Sequence, residues 1–504
     1  MTGIQHGTAM RRSQIVTVVV LLLAAFALRY AVAGRAIWFD ERFTVINTES
    51  VRAAVDHCLR YDHPPLYFVL LAQWRTVFSS TELSMRILSL IFGMISLAGI
   101  FLAGRAVAGR NAGIAALAIA VFAPYHWLYS TELRPYAMFM AFSAFSTWAF
   151  LRILKTGRPK YFMLLAVFTA LNLYTHYFSI FLPAGQAVVF LLIALRSSTT
   201  GRWTSSYRNR QILYGVLALV IVAVAYAPWA NVLRRIITQS VAEGHVVGPG
   251  SRVGRGITLN FIGKSFFDSM GEGLIPFLLQ AALVVVALSD KKYRSASLLF
   301  LVTWTLPFIL LKIWKPAHFI DAKYFIFAYP ITIAMAGTGL VAAAECGRRT
   351  RVRAAHAFYV LLLVVSLSPL LPGQHKPYWF HQSDWGDVVA ALEGAAEDGD
   401  RVSFPGDSKA YAMVIHYADK EFLKRHPVIL WRWQEGARSF NSLEPGTGVW
   451  MLKHGELPQG LVDDLAGEVD EVATWRVYPS DISMYHLRVG AADRPRQDRE
   501  QSED

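Results

Sequence analysis

The sequence predicts an α-helical polytopic membrane protein that carries a small α/β soluble domain at its C-terminal end. Of the 504 residues, 54% are hydrophobic and only 17% are charged, below the roughly 25% of ordinary soluble domains. Apolar runs of about 17 to 25 residues recur along most of the chain, and each is long enough to cross a bilayer as a helix. After residue 371 the composition turns sharply polar.

The net charge of +13 does not indicate a nucleic-acid partner. Lys and Arg lie in short clusters between the apolar runs, which is the pattern of cytoplasmic loops under the positive-inside rule. The two cysteines, Cys58 and Cys346, are predicted on opposite sides of the membrane, so no disulfide is expected.

The first apolar run, 15–33, follows Arg11 and Arg12. It is open to two interpretations: a signal peptide cleaved after 31–33 (Ala-Val-Ala), or a retained first helix. The many later spans favour the retained helix. In both cases residue 34 emerges on the outer side.

Charge sets the orientation of the rest of the chain. The stretch 34–83 is rich in acidic residues and is predicted outside, whereas basic clusters mark the inside at 105–110, 155–160, 196–210, 291–294 and 348–353. An odd number of crossings must therefore separate 34–63 from 105–110. The run 84–104 is long enough to cross, so the short run 65–78 is predicted to lie along the outer interface.

The full pattern predicts about eleven spans, with the N-terminus in the cytoplasm and the C-terminus outside the inner (cytoplasmic) membrane. The predicted spans are 15–33, 84–104, 112–128, 136–154, 161–175, 178–195, 211–229, 273–289, 296–313, 324–343 and 354–371. The predicted domains are a membrane module over 1–371, an outer α/β domain over 372–490 and a disordered tail over 491–504. Within the soluble domain, a helix is expected at 384–397 and strands at 401–404, 428–431, 448–452 and 484–489.

Two outer segments near the first span carry residues suited to chemistry. Asp40 and Glu41 are adjacent acids just past the first helix. One of them can act as a general base on an acceptor hydroxyl while the other orients it or binds a divalent cation; the simpler interpretation is a solvated interface pair. His63 precedes two prolines and can meet a phosphate or a sugar hydroxyl, or can merely begin a helix.

Later outer loops add further candidates. Glu132 and Arg134 lie just before a helix predicted from Tyr136, so Arg134 can clamp a phosphate or simply pair with Glu132. His176 lies at a turn between two spans and is a candidate for the cavity rim. Lys323 belongs to an outer loop with two lysines, an exception to the positive-inside trend that suggests lipid-phosphate binding or a salt bridge with Asp321.

The long outer loop over 230–272 contains a glycine-rich stretch at 244–256. Loops of this length are commonly lids or disordered segments, and both interpretations stay open.

Four motifs, read in chain order, resemble those of bacterial GT-C membrane glycosyltransferases. They are 38–41 (Trp-Phe-Asp-Glu), 63–67 (His-Pro-Pro-Leu-Tyr), 129–137 (Tyr-Ser-Thr-Glu-Leu-Arg-Pro-Tyr-Ala) and 323–330, where Lys stands in place of that family's Arg. The chain is most similar to the protein mannosyltransferase and aminoarabinose-transferase clan, in particular its lipopolysaccharide-core branch. The resemblance covers about 35–345.

The resemblance implies a polyprenyl-phosphate sugar as donor and a lipid, glycan or protein as acceptor, at the outer membrane face. It implies Asp40 as catalytic base, with Glu132 assisting, and Arg134 and Lys323 as candidates for the lipid phosphate. The other candidates are Glu41, the acid next to Asp40, for catalysis, and His63, Tyr136 and Tyr324 for donor binding. Lys323 keeps the charge of Arg but loses its bidentate fork.

Two alternatives remain at the level of sequence. A lipid or polysaccharide transporter would place polar groups in mid-bilayer on broken helices, whereas here they lie in loops at one face. A protein like an O-antigen ligase or polymerase is also multispanning, but gives no reason for the acidic pair after the first helix.

Overall fold

The structure is a computed structural model that describes most of the chain. The described residues are 11–34, 37–60, 63–199, 204–242, 274–314, 322–345, 385–404, 408–429, 447–454, 467–477 and 480–489. The predicted lid stretch 244–256, the predicted span 354–371, the tail 491–504, Asp321 and Cys346 lie outside them. The chain divides into a membrane unit (1–34 and 44–375) and a C-terminal unit (35–43 and 376–504). The predicted domain boundaries stay a prediction.

The first part of the chain is helical. Its helices are α1 (Arg12–Ala33), α2 (Phe39–Ile46), α3 (Val51–Arg60), α4 (Leu66–Val77), α5 (Glu82–Ala108), α6 (Arg110–Phe122), α7 (Pro124–Thr131), α8 (Tyr136–Thr156), α9 (Pro159–Leu173), α10 (Phe181–Thr199), α11 (Ser205–Ala242), α12 (Leu274–Ser289), α13 (Arg294–Trp314) and α14 (Tyr329–Glu345). Three short 3-10 helices cover Tyr177–Ile180, Lys291–Tyr293 and Ala322–Ala328.

The protein is an integral membrane protein. Within the described part of the chain, seven helices are long and apolar enough to cross a membrane, or eight if the bent pair α6 and α7 forms one span. Helices occupy every predicted span that falls in described residues. Two of them, α9 and α12, are apolar but shorter, since 15 residues of α9 extend only about 22 Å.

One predicted span is not continuous. The run 112–128 was expected to be a single helix, but α6 and α7 meet at Ala123 with a bend of 68°. The cause is Pro124, the first residue of α7, because proline has no N–H to bond the carbonyl of Ala120. The bend turns the chain just before Glu132 and Arg134.

The core of the membrane unit lies where α5, α8 and α14 pack together. In the span Lys323–Glu345, which contains α14, 94% of the most apolar stretch is buried, against 6% in the span Ser205–Ile236 of α11, so α14 is a central helix and α11 a peripheral one. Small residues allow this close packing: a Cβ on Gly99 of α5 would lie 2.7 Å from Cβ of Ala144, and one on Gly337 of α14 would lie 2.5 Å from the backbone nitrogen of Ala116.

The short run expected at the interface forms the 12-residue helix α4, which reaches about 18 Å. It buries Tyr67, Phe68 and Leu71, and the Tyr67 hydroxyl lies 2.8 Å from Ser89 Oγ of α5. The helix is thus packed on the core, and its predicted place along the membrane surface stays a prediction.

The C-terminal unit contains the small α/β domain that the sequence predicted. Its elements are α15 (Trp385–Ala395), β1 (Arg401–Ser403), α16 (Ser408–Tyr417), α17 (Lys420–Arg425), β2 (Val428–Ile429), β3 (Gly448–His454), β4 (Gly467–Val477) and β5 (Ser480–Val489). The sheet order is β2-β1-β3-β5-β4. Strand β1 runs parallel to β2 and β3, and β5 runs antiparallel to β3 and β4.

Strand β4 was missed by the sequence analysis. Its sequence is rich in acidic residues, which is unusual for a strand, and it lies at the edge of the sheet. An edge strand tolerates charge because one side of its backbone has no neighbouring strand. The four strands that were predicted are the more apolar ones.

Candidate active site

Three separate segments of the membrane unit bring charged and aromatic side chains together around Tyr136. The segments are the 132–135 linker between α7 and α8, the 174–176 turn after α9, and the 3-10 helix Ala322–Ala328. Lys323 Nζ lies 5.6 Å from the centre of the Tyr136 ring, and the ring of His176 is 6.1 Å from it. Electrostatic interactions with Tyr136 come from Lys323, Arg134, Tyr324 and Glu132. These six predicted residues therefore form one cluster.

The linker between α7 and α8 is buried. Glu132 ends α7 in an extended conformation, and Pro135 precedes the first turn of α8. Both charged side chains are buried, with Glu132 2% and Arg134 9% exposed. Arg134 Nη1 donates to Thr44 Oγ1 at 3.3 Å. Buried ionisable groups in a membrane protein are costly and mark functional sites.

The side chain of His176 has a defined orientation. Its Nδ1 accepts a hydrogen bond from the backbone N–H of Phe178 at 3.2 Å, so a neutral imidazole carries its proton on Nε2. The ring stacks on Phe139 at 4.7 Å with an angle of 6° between the planes, and the ring of Tyr324 is 5.2 Å away. His176 can therefore offer an N–H donor.

Lys323 and Tyr324 are half-buried and reach the cluster from a distant part of the sequence. The ring of Tyr324 lies 5.1 Å from Phe178, and the following Phe325 packs on Phe308 at 4.6 Å. This aromatic packing holds the 3-10 helix against the 174–178 region. The Lys323 ammonium lies over an aromatic face, a favourable cation–π arrangement.

The backbone of the 63–67 segment, which contains His63, lies next to the cluster. The N–H of Leu66 donates to the carbonyl of Tyr174 at 2.9 Å, which joins the 63–67 motif to the 174–176 turn. The ring of His63 stacks on Phe68 at 5.4 Å and lies 5.7 Å from His57. These contacts pack the ring beside α3 and α4, and its predicted role toward the donor stays a prediction.

Asp40 and Glu41 lie in the C-terminal unit, in the first turn of α2, where acids are favoured by the helix dipole. Glu41 is fully buried, and its Oε2 accepts from the backbone N–H of Trp38 at 3.2 Å. Asp40 is only half-buried. The two adjacent acids are thus unequal: Glu41 supports the helix start, and Asp40 is the more accessible carboxylate.

The segment that carries these acids is attached to helix α16 of the same unit. The N–H of Ile37 donates to the Tyr417 hydroxyl at 2.8 Å. Burial lowers the pKa of the neighbouring His416, and the Arg42 charge lowers that pKa further. His416 is therefore held in its neutral form, which avoids repulsion between an imidazolium and Arg42.

Sequence reasoning missed several residues that hold the cluster. Thr44 and Phe139 gave no local signal, because their partners lie far away in the chain. Thr44 accepts from Arg134, about 90 positions away, and Phe139 stacks on His176, about 37 positions away. Arg29 did give a signal, as a charge within the first apolar run, and it is fully buried beside His126.

The sequence did not decide whether the protein binds a divalent cation. Within the described residues, no group of three or more His, Cys, Asp or Glu side chains could hold a metal ion.

Comparison with known proteins identifies the fold. Residues 62–229 match the sequence model of the dolichyl-phosphate-mannose-protein mannosyltransferase family; this region contains His63, Glu132, Arg134, Tyr136 and His176. No curated protein sequence matches the chain significantly.

Solved structures are similar over nearly the whole chain. ArnT from Cupriavidus metallidurans in the apo state is 12% identical, with a TM-score of 0.55 over 93% of this chain and 97% of that one. The same protein bound to undecaprenyl phosphate is 13% identical, with a TM-score of 0.55 over 94% and 98%. The oligosaccharyltransferase of Archaeoglobus fulgidus in the apo form is 13% identical, with a TM-score of 0.51 over 88% and 69%.

The chain has the GT-C fold, as its motifs predicted. Within that fold it is similar to the protein mannosyltransferases and to ArnT.

Proposed function

We propose that the protein is a membrane glycosyltransferase that moves a sugar from a polyprenyl-phosphate donor to an acceptor hydroxyl at the outer face of the inner membrane. The observation that carries this proposal is the cluster around Tyr136, where Arg134 and Lys323 bring two cations to one place in the membrane unit. The solved ArnT structure with undecaprenyl phosphate supports the class of donor.

The cluster suits a phosphate group in four ways. Arg134 can supply a bidentate fork and Lys323 a point charge. The N-terminus of α8 adds the positive end of a helix dipole. His176 adds an N–H donor at Nε2. In buried surroundings these charges act with less screening than in water.

The reaction needs these groups because the leaving group is a phosphate. The acceptor oxygen attacks the anomeric carbon as the bond from that carbon to the phosphate oxygen breaks. The phosphate leaves with the electron pair, and Arg134 and Lys323 stabilise its charge. The acceptor proton passes to a base, for which Asp40 is our candidate, with Glu41 supporting its helix turn and Glu132 assisting. Displacement from the opposite face inverts the anomeric configuration.

The test is transfer by the full-length protein in lipid nanodiscs. The protein is incubated with a panel of polyprenyl-phosphate hexoses and pentoses, and released polyprenyl phosphate is measured by mass spectrometry. We expect release with at least one donor, and loss of release in Arg134→Ala and Lys323→Ala. Lys160→Ala is the matched control, since Lys160 is an exposed lysine at the start of α9.

Two outcomes would contradict the proposal. One is a folded protein that binds the donor lipids but never cleaves them, which would favour the transporter. The other is full activity in both Arg134→Ala and Lys323→Ala, which would show that these two residues do not form a phosphate site.

A further inference from the structure

A second polar cluster is buried in the membrane unit, at the bend between α6 and α7. The fully buried side chain of Arg29 donates from its guanidinium to the carbonyl oxygens of Ala120 and Val121, each at 3.2 Å. In a continuous helix the carbonyl of Ala120 would accept from residue 124, but Pro124 has no N–H. Arg29 therefore supplies from α1 the donor that the bent helix lacks.

The second partner of Arg29 is the imidazole of His126. Arg29 Nη2 lies 2.8 Å from His126 Nδ1, and because a guanidinium only donates, this nitrogen must accept. His126 then carries its proton on Nε2, which lies 2.8 Å from Ser96 Oγ. Ser96 donates in turn to the carbonyl of Gly93 at 2.7 Å. Each group thus donates to the next, from Arg29 in α1 to His126 in α7 and from His126 to Ser96 in α5.

No carboxylate among the described residues pairs with Arg29. Within the described part of the chain, its hydrogen bonds go to three carbonyl oxygens and to His126. Two of these carbonyls form the C-terminal end of α6, where a cation is favoured by the helix dipole. A buried cation in a membrane protein is expensive and normally has a function.

This second cluster lies next to both segments that carry the proposed phosphate-binding cations, Arg134 and Lys323. Helix α7 contains His126 and leads directly into Glu132 and Arg134. Tyr329 begins α14 and directly follows the 3-10 helix that contains Lys323. The ring of Tyr329 lies 6.1 Å from His126 and 5.2 Å from Tyr125, also in α7.

We propose that Arg29 and His126 are positioning residues for donor binding. They fix the bend of α7 and its packing against the start of α14, and so set the distance between Arg134 and Lys323. The inference rests on the proposed function, in which those two cations bind the donor phosphate. Neither Arg29 nor His126 touches the donor.

The test is the Kd of undecaprenyl phosphate for the full-length protein in nanodiscs, measured by titration calorimetry. Arg29→Met removes the donors, and His126→Gln keeps a group at the Nε2 position but loses the acceptor at Nδ1. Both should raise the Kd roughly tenfold, within the range of couplings carried through packed networks. His126→Asn keeps an acceptor near the Nδ1 position, and Arg29→Lys keeps the charge, so both should have smaller effects.

A matched control separates positioning from general destabilisation. Gln186 and Ser146 form another buried hydrogen-bonded pair between helices of the same unit, at 3.1 Å. Gln186→Leu should lower the melting temperature but leave the Kd unchanged at temperatures well below melting. If Arg29→Met does not fold, His126→Gln and Arg29→Lys carry the test.

The Kd of Arg134→Ala separates a failure of the proposed donor site from a failure of the positioning role. If this variant binds undecaprenyl phosphate as the wild type does, the proposed donor site is wrong. If it binds weakly while folded His126→Gln and the folded Arg29 variants bind as the wild type does, the donor site stands and the positioning role is overturned.

Discussion

At the scale of single residues, position 323 separates this chain from the motif that it resembles. Lys323 stands where the related motif has Arg, and its ammonium lies over the ring of Tyr136. A lysine gives one compact charge, whereas an arginine offers a planar fork that matches a phosphate. Under the proposed function, this residue sets how tightly the donor phosphate is held.

Substitutions at position 323 should lower or raise the KM for the donor, depending on the new side chain. Lys323→Arg should lower it a few-fold, because a planar guanidinium can make two parallel hydrogen bonds to one phosphate, and Lys323→Met should raise it roughly tenfold or more, as expected for a lost charged hydrogen bond. Initial rates over a range of donor concentrations give the KM. An unchanged KM in Lys323→Met, matching a Lys160→Met control, would exclude phosphate contact.

In the proposed reaction, Asp40 is the candidate for the catalytic base. Asp40→Asn should lower kcat about 10²- to 10⁴-fold, the usual contribution of a general base, while the Kd for the donor lipid stays the same. The control is Asp56→Asn, since Asp56 is a half-exposed acid in α3 beside Arg52. Full transfer by a folded Asp40→Asn protein would make the base assignment wrong.

Cys58 should be unreactive in the folded protein. Burial raises the pKa of its thiol from 9.0 to about 12, so almost no thiolate forms at pH 8, and the thiolate is the nucleophile. This preference for the thiol stabilises the fold below about pH 9 and is lost as the pH rises toward 12.

Mass spectrometry after iodoacetamide treatment checks this, in a Cys346→Ser background. Cys58 should stay unmodified at pH 8 and react fully after denaturation. Rapid modification of the native protein would show that α3 opens to solvent.

At the scale of elements, the close approach of helices in the membrane unit depends on glycine. A Cβ on Gly337 of α14 would lie 2.5 Å from the backbone nitrogen of Ala116 in α6, and backbone atoms cannot rotate away as a side chain can. Helix α14 is the most buried of the candidate spans, so its contacts with α6 position the segment that follows Lys323.

Gly337→Ala should therefore destabilise the protein by about 1–3 kcal/mol, the usual cost of overpacking. The melting temperature of the purified protein in detergent measures the effect. Gly394→Ala is the control, because a Cβ on this helical glycine of α15 meets nothing within 4 Å. Equal melting temperatures for the two variants would mean that α14 can shift at little cost.

At the scale of the whole molecule, the C-terminal unit includes the segment that carries Asp40. Residues 35–43 group with 376–504, and the N–H of Ile37 donates to the Tyr417 hydroxyl. This gives the C-terminal unit a role in holding the candidate base, which no motif in its own sequence suggested.

Tyr417→Phe tests that role because it removes only the hydroxyl. We expect kcat to fall several-fold, since one hydrogen bond contributes about 1 kcal/mol, with no change in donor Kd. Tyr485→Phe is the control, a buried tyrosine in β5 of the same unit. Equal kcat values for the two variants would show that this bond does not support catalysis.

The helices and the predicted strands follow from local sequence, and the exceptions have physical causes. The bend at Ala123 went unpredicted because the apolar run continues across Pro124, and hydropathy does not register a missing N–H. Strand β4 went unpredicted because its acids are tolerated only at a sheet edge. The candidate residues were found because acids, histidines, Arg134 and Lys323 gather in the predicted outer loops near helix ends, and their roles stay predictions.

The sequence by itself determined that this chain is a helical membrane protein with a small α/β domain, because in lipid each span must satisfy its own backbone hydrogen bonds. It also determined which polar residues were candidates for the site. Only the tertiary structure decided that Arg134, His176 and Lys323 gather around Tyr136, and that Arg29 donates both to the carbonyls at the bend and to His126. Such contacts join segments far apart in the chain, so they depend on how the helices pack and not on any local pattern.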